Sequence, residues 1–74
     1  MKELGEALKA ARERVTLTRP QVALQLDLEP RAVQSWEVGQ RTPSLPKLRE
    51  LGRMYNLSDA ELGVLVRMAK RGAE

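Results

Sequence analysis

The sequence contains no cysteine, no histidine and no phenylalanine. Without thiols or imidazoles there are no disulfides, no thiolate nucleophile, no Cys/His zinc finger and no histidine-based acid/base chemistry. No catalytic residue, metal ligand set or cofactor motif is legible, and no effector pocket is implied. Aromatic residues are nearly absent too, Trp36 and Tyr55 standing alone, so Leu, Val, Met and Ala must fill the core. No apolar run approaches the ~18 residues of a membrane span. Met1 leads into Lys2 and Glu3 rather than into a signal-peptide core, so the expected setting is the cytoplasm, with no membrane partner.

What is present is a chain of 74 residues, 42% of them hydrophobic, with 13 Lys and Arg against 10 Asp and Glu and a net charge of +3. This length supports one domain, read as residues 1–74, with a small and locally connected core. The positive balance fits a polyanion partner, because phosphate neutralisation by Lys and Arg supplies most non-specific nucleic-acid affinity. The acidic residues are spread along the chain among the basic ones, so a basic face has to arise from folding rather than from a charged tail.

Periodicity predicts five helices and no strands. The first, over 2–14, places Leu4, Leu8, Ala11 and Val15 on one face. Thr18 opens the second with a capping box completed by Gln21, Pro20 fits its first turn, and Val22, Ala23 and Leu26 point inward. It stops at Asp27, a residue type that tolerates the left-handed conformation of a sharp corner, with Leu28 as the plug. Pro30 begins the third helix, Val33 and Trp36 set its inward phase, and Gly39 ends it. Ser44 caps a fourth, with a buried stripe of Leu45, Leu48, Leu51 and either Met54 or Tyr55, ending at Asn56. A second capping box, Ser58 with Glu61, begins the fifth, where Leu62, Leu65, Val66 and Ala69 repeat up to Gly72.

Two short helices joined by a tight corner, over about 18–38, have the topology that places a second helix in a major groove. The ordered set Arg12-Glu13, Leu17-Thr18, Val22-Ala23, Leu28, Val33 and Leu48, with the run Ser35-Trp36-Glu37-Val38-Gly39-Gln40-Arg41-Thr42-Pro43-Ser44, resembles the lambda Cro and repressor-like (XRE-type) helix-turn-helix family over about 4–58. The run is its most specific piece, a Glu-x-Gly followed by a basic loop and Pro-Ser. Three positions depart from the family pattern: Arg19 where Gln is usual, Asp27 where Gly is usual, and Glu29-Pro30 where Ser or Thr commonly caps the recognition helix. The resemblance implies an all-α, compact, five-helix lambda-repressor-like domain with its helix-turn-helix in the second and third helices. It also implies a bacterial or phage-encoded, nucleoid-associated regulator of transcription.

On the third helix, Arg31, Gln34 and Ser35 are expected to project away from the core, with Pro30 at the leading end. Arg can bond guanine O6 and N7 as a fork and Gln can pair with adenine N6 and N7, each worth roughly 1–3 kcal/mol of discrimination. These four are the candidate base contacts, against the plain alternative of solvated helix side chains. Thr18, Arg19, Gln40, Arg41, Thr42 and Lys47 are the candidate phosphate contacts, the groups with which similar proteins grip the backbone beside the groove. Arg12 and Glu37 occupy positions that pair in similar proteins, tying the first helix to the end of the third; with no second acid, metal cluster or nucleophile beside it, Glu37 reads as structural rather than catalytic.

Trp36 has the phase of a core residue rather than of a base-stacking platform. Leu62, Leu65, Val66 and Met68 make a broad apolar face on the fifth helix, which serves either as a dimer surface or as packing against the first helix. Two functions from different classes follow. One is a repressor of double-stranded DNA, homodimeric through the fifth helix or only on DNA, reading a palindrome. The other is a protein-interaction module of the same fold, antitoxin-like or antirepressor-like, with DNA binding secondary; a small enzyme is remote.

Overall fold

The computed structural model describes residues 2–72, so the outer limits of the domain read over 1–74 lie outside the described residues. Five helices are present and no strand among the described residues: α1 (Lys2–Arg14), α2 (Arg19–Gln25), α3 (Pro30–Glu37), α4 (Leu45–Met54) and α5 (Asp59–Gly72). No described helix is long and apolar enough to cross a membrane.

Each start has a local cause. Thr18 Oγ1 accepts from the Gln21 amide at 3.3 Å while Gln21 Oε1 accepts from the Thr18 amide at 2.8 Å, the reciprocal box expected. Ser58 and Glu61 repeat it at 3.1 Å in both directions, and Ser44 Oγ accepts from the Lys47 amide at 3.3 Å. Glu29, by contrast, makes no side-chain cap, and Pro30 begins α3 without an amide that needs one.

The four corners share one closure. After each of α1 to α4 a left-handed residue turns the chain, at Thr16 (φ 58°), Asp27 (57°), Gly39 (85°) and Asn56 (56°). The amide beyond it then donates back five residues: Leu17 to Arg12 at 3.3 Å, Leu28 to Ala23 at 2.8 Å, Gln40 to Ser35 at 2.9 Å and Leu57 to Gly52 at 2.9 Å. This six-to-one bond satisfies carbonyls that a helix end would otherwise orphan. Leu17, Leu28 and Leu57 then lodge against the core, completing three of the corners. Thr16 has the least suitable side chain, because a β-branched residue at positive φ crowds its own backbone. Thr16→Gly is therefore expected to raise stability by about 0.5–1 kcal/mol after glycine's added unfolded-state entropy is deducted, read as a higher urea midpoint with unchanged slope.

Leu4, Leu8 and Ala11 of α1 meet Val22, Ala23 and Leu26 of α2, Val33 and Trp36 of α3, Leu48, Leu51 and Tyr55 from the α4 segment, and Leu65 and Ala69 of α5, all buried. Helix α1 packs on both α3 and α5, α2 packs on α3, and α4 packs on α5. Tyr55, 2% exposed, is the residue that closes the α4 stripe, while Met54 is half-buried. Leu45 departs from the expected stripe: at the first turn of α4 it is 36% exposed and lines a surface hollow beside Ala69. Val15, Leu62 and Val66 pack only at the margin.

Helix α1 approaches the end of α3 without a side chain between them. A Cβ placed on Gly5 would meet the carbonyl oxygens of Trp36 and Glu37, the former at 2.7 Å. Gly5→Ala therefore lifts α1 off α3. Alanine's better helix propensity recovers about 1 kcal/mol, against an overpacking cost of about 1–3 kcal/mol or more for unyielding backbone. A net loss of up to about 2 kcal/mol or more is expected by chemical denaturation.

Candidate nucleic-acid interface

Helix α3 is short and its inner face is fully used, which leaves little freedom in what it presents. With Val33 and Trp36 buried, Arg31 and Gln34, three residues apart on one side of the helix, are exposed, and Pro30 is exposed at the tip. No ion pair engages Arg31 among the described residues, so its guanidinium fork is open to an incoming acceptor.

Ser35 departs from the expected outward projection. It is 8% exposed, and its hydroxyl donates to the Ala32 carbonyl at 2.7 Å. Two causes act together. A serine within a helix readily back-bonds to the preceding turn, and the loop after α3 folds over it, since the Ser35 carbonyl accepts the amides of Gln40 (2.9 Å) and Arg41 (3.1 Å). The serine thus anchors the loop to α3. Glu29, Arg31, Ala32, Ser35, Gln40 and Arg41 line one hollow, so residues of both candidate classes share a surface. Gln40 and Arg41 are exposed there, and Thr42 is exposed beside them in the loop.

Arg19 behaves differently from a free phosphate ligand. Its Nε donates to Glu37 Oε1 at 2.9 Å, with the side chain 32% exposed. Arg12 donates to the same carboxylate through Nε to Oε2 at 2.7 Å and Nη2 to Oε1 at 3.0 Å, and its Nη1 donates to the Leu17 carbonyl at 2.8 Å. One buried carboxylate thus joins α1, the first turn of α2 and the last turn of α3. Sequence reasoning placed Arg12 and Glu37 together but not Arg19; the signal was available in the cationic replacement of the family's Gln beside a corner holding an acid. Thr18 is exposed and occupied as a cap, and Lys47, half-buried, has its Nζ 3.9 Å from Glu50 Oε2.

The Glu37 carboxyl is pulled two ways. Burial pushes its pKa up, while hydrogen bonds from Arg12 and then Arg19 pull it down and prevail, leaving it below the ordinary value. The Glu37 hydrogen bond in turn holds the Arg12 pKa above its ordinary value. Tyr55 lies close enough to feel both charges, and burial, reinforced by Glu37, pushes its phenol up to about 12. Two cations on one anion leave this end of α2 with a net positive charge. No group of three or more His, Cys, Asp or Glu among the described residues is arranged to hold a metal ion.

The profile of a family described as a helix-turn-helix domain matches residues 3–69. Neither the curated proteins nor the solved structures compared with the chain give a match.

Proposed function

Because the chain belongs to the helix-turn-helix domain family, we propose that it is a sequence-specific regulator of transcription that binds double-stranded DNA through α3, without catalysis, and represses by occupying a promoter. The observation that carries this reading is the exposed pair Arg31 and Gln34 on a helix whose far end is held by the Glu37 network. An α-helix with its side chains, ~10–12 Å across, fits a major groove ~12 Å wide. Base readout falls to Arg31 and Gln34, with Pro30 against the groove floor and Ser35 aiding through the loop it anchors. Thr18, Arg19, Gln40, Arg41, Thr42 and Lys47 serve the backbone on either side, and Arg19 does so without leaving Glu37, since only its Nε is engaged.

Two copies on a palindrome, with half-sites about 34 Å apart, complete the reading. The apolar groove between α1 and α5, lined by Ala7, Ala10 and Met68 with Val64 41% exposed, supports a homodimer through α5. A binding selection on randomised duplex DNA tests the whole. The expected product is a palindromic motif whose affinity falls steeply with added salt, and Arg41→Ala should lessen the slope of log affinity against log salt by about 0.9 per protomer, hence about 1.8 for two copies on a palindrome. Failure to bind any duplex at low salt would sink the reading.

A further inference from the structure

Outside the helix-turn-helix, one end of α5 concentrates charge of a single sign. Arg67, Lys70 and Arg71 are three and four residues apart, therefore on one side of the helix, all exposed, and they line a shared hollow. None is in an ion pair among the described residues, whereas Arg14 is matched to Glu61 at the other end of the same helix. Like charges at these spacings repel. The negative end of the helix dipole offsets part of that for Lys70 and Arg71 in the last turn, but Arg67 lies a turn earlier. An unmatched cluster of this kind is a cost to the free protein that an anionic partner removes.

Its position says which partner. Lys70 lines a second hollow together with Thr42, Pro43, Ser44 and Leu45, the segment that runs from the loop after α3 into α4. The cluster therefore continues from the loop that carries Arg41 and Thr42. We propose that Arg67, Lys70 and Arg71 form an additional nucleic-acid contact that takes backbone phosphates of the same duplex beyond the base pairs faced by α3. This rests on the DNA-binding reading above and deepens it. Phosphates fit because the contact needs only point charge and reach, which long exposed Lys and Arg side chains supply, and no base edge has to be read.

The test compares the full chain with the R67Q/K70Q/R71Q variant on two duplexes carrying the selected site, one with long flanks and one trimmed to the site itself. Circular dichroism checks that both proteins fold. On the long duplex the variant should lose about two to three units from the salt slope per bound protomer, at about 0.9 per phosphate released, and about twice that for two copies on a palindrome, with its preference among sites unchanged. On the trimmed duplex the two proteins should converge. R67K/R71K, which keeps the charge, should behave as the unaltered chain on both. An unaltered slope for the glutamine variant on the long duplex, beside specific binding by the parent chain, overturns this contact and leaves the function standing. Absence of duplex binding by the parent chain overturns both.

Discussion

Replacing Glu37 with alanine is expected to destabilise the domain by about 3–5 kcal/mol, because it strands a buried guanidinium. Arg12 is the sufferer: its side chain is 10% exposed and directs two of its donors at the lost carboxylate, whereas Arg19, 32% exposed, can turn to water. In a domain of this size that loss corresponds to a fall in thermal midpoint of roughly 12–40 °C. Arg19→Met should cost only about 1 kcal/mol, since Arg12 keeps both of its bonds to Glu37 and the lost pair was partly solvent-screened. Scanning calorimetry of the two variants distinguishes them; equal losses would show that the cations share the carboxylate evenly, against the geometry.

The same network dictates how stability responds to acid. The folded pKa of Glu37 lies below its unfolded value, so the stability it contributes is fully present above the ordinary carboxylate range and drains as pH falls through the depressed folded value. Urea midpoints should therefore hold from about pH 8 to about pH 5 and decline below about pH 4. Glu61 is also held below its ordinary value, first by the hydrogen bond from the Ser58 backbone and then by Arg14, and it acts in the same window from an exposed position. Glu37→Gln should flatten the acid limb far more than Glu61→Gln. Parallel acid limbs for Glu37→Gln and the parent chain contradict a paired, ionised Glu37.

The helices were legible because their punctuation is local. Thr18 with Gln21, Ser58 with Glu61, Pro30 and Gly39 each act within one turn of themselves, and the observed bounds follow them. Asp27 and Asn56 were readable as corners for the same reason. Thr16 was not, since nothing in a β-branched side chain advertises a left-handed backbone; only the closure of the α1 corner demands it. The remaining departures are tertiary. The outward phase given to Ser35 is right for a bare helix and fails because a loop five residues on returns to cover it. Gly5 looks like a weak point in a helix until α3 arrives against it, and Leu45 has core periodicity but is left 36% exposed at the first turn of α4. Periodicity fixes which way a residue faces on its own helix, and the neighbours decide what that face meets.

Converting both Arg31 and Gln34 to alanine is expected to remove roughly 2–6 kcal/mol of discrimination from each half-site, at about 1–3 kcal/mol for each base-edge pair. At 1.4 kcal/mol per factor of ten, that spans from about 25-fold to more than 10,000-fold per half-site in the ratio of specific to non-specific affinity. Affinity for non-specific duplex should fall little, since only one cation is lost per protomer and one phosphate-scale charge is worth about 0.9 in salt slope. The single variants separate the two contacts. Arg31→Ala should relax preference at one base pair of each half-site and Gln34→Ala at another, because side chains three residues apart on a helix stand over different steps of the groove. The fold should be indifferent, for both residues are exposed and neither side chain makes a hydrogen bond among the described residues. Arg41→Ala, in contrast, should weaken all sequences alike. The deciding measurement is a repeat of the duplex selection with each variant. Motifs that lose a position under Arg31→Ala and keep every position under Arg41→Ala support readout by α3; motifs that weaken uniformly under both place these residues on the backbone and return the source of specificity to the shape of the duplex.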